Sequence, residues 1–375
     1  MTAHLLIAFS KNFNCCYNYG DPRVQQIKWV SNGNAHISLC KDLQGQIRET
    51  DHNIKLPSAI PITATPIPSL LNPTTLNATI PSQVLQIIQT THQSIDEITT
   101  RYFNGLHLWI PFLDSAQFHK DLLESHSLPT PDFSILLLSM CLLTYDPTPN
   151  HPLPIDHDTL YLHAKTLFTQ TQVSQHPSIH SIHAGIFVSM YEYAHGRADA
   201  ALASIDICAR TAYKLGLDRP PECAGGTQAW NTWWAIRILE RVFYCETSST
   251  NIPLVSSSPK ETNLLPREIS SSASEEVSRP SGQIVTISTA GIGVGCLARA
   301  AQAAYLLDRV FQSLKISPAT DRITVLLGLD TELQRLLSTT ISKCHDHRGG
   351  HCGAVCISIR SVATLLSPLS TNRSS

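Results

Sequence analysis

From Pro81 onward the apolar residues of this chain recur at spacings of three and four, and that period admits one kind of local structure. Ile179, Ile182, Ile186, Met190 and Tyr193 form one such stripe, the pattern of an α-helix packed along one face. Leu202, Ile205, Ala209, Ala212 and Tyr213 repeat it, and Gly216 stands where a left-handed cap residue is expected. Trp230, Trp233, Trp234, Ile238 and Val242 make a third stripe, and Ala- and Leu-rich residues 297–311 and 323–337 make two more. Residues 133–143 are apolar all round, which predicts a helix enclosed by the others. No internal repeat and no sustained apolar/polar alternation calls for a sheet. The expected fold class is all-α, a multi-helix array.

Proline and serine divide the chain. Residues 57–81 carry six prolines among Thr, Ser and Ala and read as a linker, because fixed φ at so many positions opposes both helix and central strand. Residues 1–56 ahead of it hold short mixed runs and turn signals, a small segment without a defined fold. Residues 82–366 form the helical domain and 367–375 a disordered tail. Two breaks interrupt the domain: four prolines in residues 146–154, and a Ser-dominated stretch at 246–282. The second is either disordered or an extended segment lying across the helical body.

At 375 residues the chain has enough length for a large core without disulfides or metal. Lys+Arg 27 against Asp+Glu 29 leaves no global basic field for nucleic acid or an acidic membrane. The longest strongly apolar run, 133–143, is short of the roughly 20 residues of a membrane-spanning helix, so a soluble chain is expected. Only residues 5–9 are continuously apolar near the N-terminus and nothing basic precedes them. A secretory signal is therefore not expected, and Asn77-Ala78-Thr79 reads as an unused glycosylation sequon. Eleven scattered cysteines read as reduced thiols, most of them small core residues.

Motifs of chemistry are sparse. Gly291-Ile292-Gly293-Val294-Gly295 follows the apolar run 284–287, which has the look of a strand, yet Cys296 stands where a dinucleotide turn needs glycine or alanine. Cys344, His347, His351 and Cys352, with His345, Asp346 and Cys356, make the most metal-like stretch, since thiolate and imidazole suit zinc. Their spacing matches no standard site, so surface histidines beside core cysteines is the preferred account and no cofactor is expected. Nucleophile-elbow, zinc-protease and phosphate-loop motifs are absent. His195 before Gly196 reads as a helix-end residue. Glu192 and Asp206, on otherwise apolar helices, are expected to pair with Arg197, Arg210 or Arg237. The three tryptophans read as core more readily than as a stacking platform.

The order of segments carries more. Arg101-Tyr102-Phe103, then His107-Leu108-Trp109-Ile110-Pro111-Phe112-Leu113, then Phe118 and residues 133–138 resemble the opening of the middle homology region of fungal binuclear zinc-cluster transcription factors. Residues 189–196 and 203–217 resemble its paired central helices. Thr232-Trp233-Trp234-Ala235-Ile236-Arg237-Ile238-Leu239-Glu240-Arg241 is similar to its Trp-Trp signature, and residues 298–307 to a later helix. The resemblance covers residues 98–366. It implies a helical regulatory region of a nuclear transcription factor, controlled by intramolecular contacts, effectors or partner proteins, and it implies no catalysis.

The departures are at the N-terminus. The family's zinc cluster uses six thiolates for two zinc ions, and residues 1–56 supply only Cys15, Cys16 and Cys40. The same residues carry six basic against four acidic side chains, far from a recognition arm. DNA binding by this chain alone is not supported. Either an upstream exon is missing from the gene model or the regulator works through another DNA-bound protein. The expectation is a nuclear transcription regulator, of a secondary-metabolite gene cluster, whose partners are other transcription factors or co-regulators and a small-molecule effector. Arg210, Trp234, Arg237 and Arg241, on the two most family-like helices, are its candidate regulatory or partner-binding residues. The alternative is a helical ligand-binding protein or enzyme with the C-terminal Cys/His stretch as its site.

Overall fold

A computed structural model of the chain describes residues 73–124, 129–146, 155–174, 176–221, 227–247, 252–267, 285–287, 294–317, 319–344 and 352–371. Among these the helices are α1 (Pro73–Thr90), α2 (Ile95–Asn104), α3 (Leu106–Trp109), α4 (Ser115–Glu124), α5 (Pro131–Thr144), α6 (His157–Ser174), α7 (Ile179–Ala194), α8 (Ala198–Leu215), α9 (Thr227–Tyr244), α10 (Cys296–Ser313), α11 (Ala319–Cys344) and α12 (Cys352–Thr371). The all-α expectation holds. Extended pairing among the described residues is a single antiparallel bridge, Leu264 with Thr286, so the apolar run at 284–287 contributes one rung rather than a strand. None of the described helices is long and apolar enough to cross a membrane.

The core is built outward from α5. Every residue from Phe133 to Thr144 is buried, because α1, α2, α6 and α7 pack around it, and a helix covered on all sides has no use for a polar face. From there the array continues through α8 and α9 to α10, which α11 and α12 cover. One continuous apolar cluster runs from Ile80 in α1 to Ile357 in α12.

The helix ends at Gly216 and His195 act as the sequence led one to expect, and two capping boxes join them. Ser94 and Ser178 open α2 and α7 through reciprocal capping boxes with Glu97 and Ser181. Gly216 closes α8 at φ 70°, and Leu217 N–H reaches back to the Ala212 carbonyl, a Schellman-type stop that favours glycine. His195 caps α7 and its Nδ1 meets the Tyr191 carbonyl at 2.8 Å.

The linker at 57–81 needs correction, since its end, from residue 73 on, is helical. Pro73 begins α1 and Pro81 lies inside it. An internal proline costs about 3 kcal/mol. Ile80, Val84 and Ile88 of the same helix are all but fully buried, and each such side chain stabilises by about 1.5–3 kcal/mol. Burial outweighs the lost backbone bond.

Candidate functional site

The long Ser/Pro break is where the polar chemistry gathers. Its residues 252–267 lie as a strap over α9, with a turn at 260–263 closed by Asn263 N–H on the Lys260 carbonyl at 2.9 Å. Along that helix Asn231, Trp234, Arg237 and Arg241 follow spacings of three and four, so they share one stripe, and all four reach the strap. The Asn231 amide grips Arg267 twice, Nδ2 donating to its carbonyl at 2.7 Å and Oδ1 accepting its N–H at 3.1 Å. Trp234 Nε1 donates to the Leu264 carbonyl at 3.0 Å. Arg237 donates through Nε and Nη2 to the Ser257 carbonyl, at 3.2 and 2.9 Å, and its guanidinium lies 4.6 Å from the Trp234 ring centre. From α8, the Tyr213 hydroxyl accepts Ser257 N–H at 3.0 Å.

Beneath the strap sits a buried ionic cluster. Glu240 accepts the N–H groups of Val255, at 2.5 Å, and Ser256, at 3.1 Å, as well as the Ser256 hydroxyl. Arg241, with no solvent exposure, donates Nε to Asp308 of α10 at 3.0 Å and Nη1 to Glu240 at 3.3 Å and Ser256 Oγ at 2.7 Å. Arg237 and Arg241 thus face Glu240 and Asp308, two charges of each sign. Asp206 of α8 is a fifth ionisable group at the edge. Burial, and then the Glu240 carboxylate, push its pKa up to about 7, because no buried cation is left to match it. Burial, with the like charge of Arg241, lowers Arg237 to about 10. Against the strap and α10 lies an open cavity of 350 Å³ lined in part by Tyr213, Ser258, Asp308 and Lys315.

Residues 99–246 match the fungal specific transcription factor domain. The chain carries a fungal specific transcription factor domain. Transcription factor BOA15 of Botryotinia fuckeliana (strain B05.10) is 26% identical over 141 residues, which cover 37% of this chain and 77% of the relative. No solved structure matches the chain. The fungal specific transcription factor domain therefore begins in α2 and ends just past α9, and this chain has the regulator character that the sequence resemblance implied. The strap and α10 to α12 lie beyond the matched residues, so the ionic cluster ties the end of the domain to the C-terminal helices.

Of the four residues expected to act in regulation, Trp234, Arg237 and Arg241 are buried in this seam, where they hold strap and helices, and only Arg210 is exposed. Trp230 and Trp233 are buried too, as core was expected to be. The sequence reading passed over Asn231, Glu240, Ser256 and Asp308. The signal for Asn231 and Glu240 was an amide and a carboxylate on a helix whose other residues are mostly apolar and aromatic, since buried polar groups need partners.

The partners expected for Glu192 were wrong. It accepts from Lys165 Nζ at 2.7 Å, Tyr161 OH at 2.8 Å and Ser204 Oγ at 2.5 Å. Arg197, just past the end of α7, turns instead to Asp158 at 2.7 Å. Glu192 faces α6, which carries Lys165, and a buried carboxylate takes the cation its neighbouring helix offers. Asp206 likewise makes no close ion pair with Arg210 or Arg237 among the described residues; exposed Arg210 supplies only a screened field.

Residues 345–351, with His347 and His351, and the glycines at 291 and 293 lie outside the described residues, as do the side chains of Cys344 and Cys352. Among the described residues no group of three His, Cys, Asp or Glu side chains is placed to hold a metal ion. Residues 1–72, including the proposed N-terminal segment, Cys15, Cys16 and Cys40, are likewise outside them.

Proposed function

We propose that this chain regulates fungal transcription from the nucleus by offering its helical body as a docking surface to another transcription factor or co-regulator, rather than by gripping DNA itself. The observation that carries the reading is the placement of the polar network. The buried charges and hydrogen-bonding groups of α9 are spent on holding main chain and neighbouring helices, an arrangement suited to recognising polypeptide. The near-neutral charge balance supports the same reading, for a chain with no overall basic excess has little long-range attraction for phosphates.

The test is a deletion strain and its complemented counterpart compared by genome-wide transcript levels, with biosynthetic gene clusters as the first place to look. A set of transcripts that changes on deletion and returns on complementation is expected. Unchanged transcription under every growth condition would overturn the regulator reading, whatever the fold.

A further inference from the structure

The strap is gripped through its backbone far more than through its side chains. Glu240 takes the N–H groups of residues 255 and 256, Tyr213 that of 257, and Arg237 and Arg241 the carbonyl of 257. Trp234 takes the carbonyl of 264 and Asn231 both main-chain groups of 267. Such contacts can be made by any segment that follows the same path, because every non-proline residue carries the same donor and acceptor. A side-chain amide spanning one residue's N–H and C=O reads an extended backbone without reading its sequence. Sequence enters at particular points: Asn263 Oδ1 accepts Lys260 N–H at 2.8 Å and Arg237 Nη2 at 3.4 Å, and Glu261 accepts the Tyr305 hydroxyl at 2.9 Å. Ser256 buries its hydroxyl between Glu240 and Arg241, and Leu265, Pro259 and Pro266 are buried.

We propose that this groove is a peptide-binding site, filled in cis by residues 255–267. A partner protein enters it in trans with a proline-containing segment that turns as residues 260–263 do and is uncharged where Ser256 now sits. The inference rests on the docking reading above and supplies its site. The two cations and two carboxylates of the groove balance, so it has no net pull on a polyanion, and an anionic group at the Ser256 position would meet Glu240 as well as Arg241, whose charge Glu240 and Asp308 already match. The strap is held at both ends by the chain, which gives it an effective concentration on the order of millimolar. A trans segment therefore binds appreciably only when the strap has lifted.

The experiment uses the full chain, unaltered and with residues 252–267 replaced by a Gly/Ser stretch of equal length. The probe is a fluorescein-labelled synthetic peptide carrying the sequence of residues 252–267, followed by anisotropy. The expected result is saturable binding to the replaced chain, at least about tenfold tighter than to the unaltered one. A Ser256→Asp peptide is expected to lose at least about tenfold in affinity, by burying a second carboxylate against Glu240. A Ser257→Ala peptide, changed at an exposed side chain while the gripped backbone is kept, should bind as the parent does. Absence of saturable binding to a replaced chain of normal helical circular dichroism would overturn the proposal, as would equal binding of the Ser256→Asp peptide. Loss of helical signal on replacement also counts against it, for the strap would then be part of the body. In the unaltered chain, hydrogen exchange at Ser256 and Arg267 should run at least about a hundredfold faster than in α5, through local opening. Equal protection would mean the strap never lifts and would sink the idea. These are binding measurements, so their failure leaves the transcript test of regulation standing.

Discussion

Replacing Arg241 with methionine separates a structural latch from a passive seam. The side chain has no solvent exposure and lies between Asp308 at 3.0 Å and Glu240 at 3.3 Å. Methionine fills much of the same volume but leaves two buried carboxylates facing one remaining cation, Arg237. Removing one partner of a buried ion pair costs about 3–5 kcal/mol, because the other charge is left unmatched. The lost hydrogen bonds add little, since Ser256 Oγ keeps Glu240 and the Ser257 carbonyl keeps Arg237. A loss near 4 kcal/mol is therefore expected at pH 8, a large share of the 5–15 kcal/mol typical of a folded domain. Urea unfolding followed by tryptophan fluorescence measures it, with Trp233 and Trp234 as buried reporters on the same helix. One control isolates the cause: Asp308→Asn added to Arg241→Met should recover about 2 kcal/mol through their coupling. A loss below about 1 kcal/mol at pH 8, or strict additivity of the two substitutions, would refute the reasoning.

Burial and packing set three more expected outcomes. Gly185 of α7 lets α8 come close, since a Cβ there would lie 2.4 Å from Cys208 Sγ and 2.8 Å from Phe168 Cζ. Gly185→Ala should cost about 2 kcal/mol, the roughly 3 of overpacking less about 1 of helix propensity, and Cys208→Ala should relieve part of it; a stabilised single variant in thermal unfolding would contradict this. His183 is wholly buried, with Nε2 donating to Thr232 at 2.8 Å, and burial lowers its pKa to about 3. Its ring charges on unfolding below about pH 6.5, so the fold loses up to about 1.4 kcal/mol per pH unit as pH falls from there; His183→Gln should flatten that slope in urea midpoints measured from pH 6.5 to 4. Asp206 has the opposite sign. Its folded pKa near 7 means the native state holds a proton that the unfolded chain releases above about pH 4, so stability is lost as pH rises from 4 to 7. Asp206→Asn should gain on the order of 1–2 kcal/mol at pH 8, allowing for solvent screening at this half-buried site, and nothing at pH 4; an equal effect at both would exclude the assignment.

Particular residues show where sequence reading ends. The stripes at 179–193, 202–213 and 230–242, the all-round apolar run in α5 and the stop at Gly216 were legible because helical period and cap geometry are properties of consecutive residues. The helical end of the expected linker was not, because Pro81 opposes a helix locally and only the burial of Ile80, Val84 and Ile88 outweighs it. Glu192 was legible as a buried carboxylate needing a cation, while its choice of Lys165 over Arg197 depends on α6 lying beside α7.

The strap makes the same division. Composition left residues 252–267 open to either disorder or a path across the body. What decided it is the stripe of Asn231, Trp234, Arg237 and Arg241, together with Glu240, meeting a backbone distant in sequence. By itself the sequence determined which segments are helices and which faces are apolar, since those depend on neighbours along the chain. The partner of each buried charge, and the groove those charges line, depended on neighbours across space, and only the packed structure supplies them.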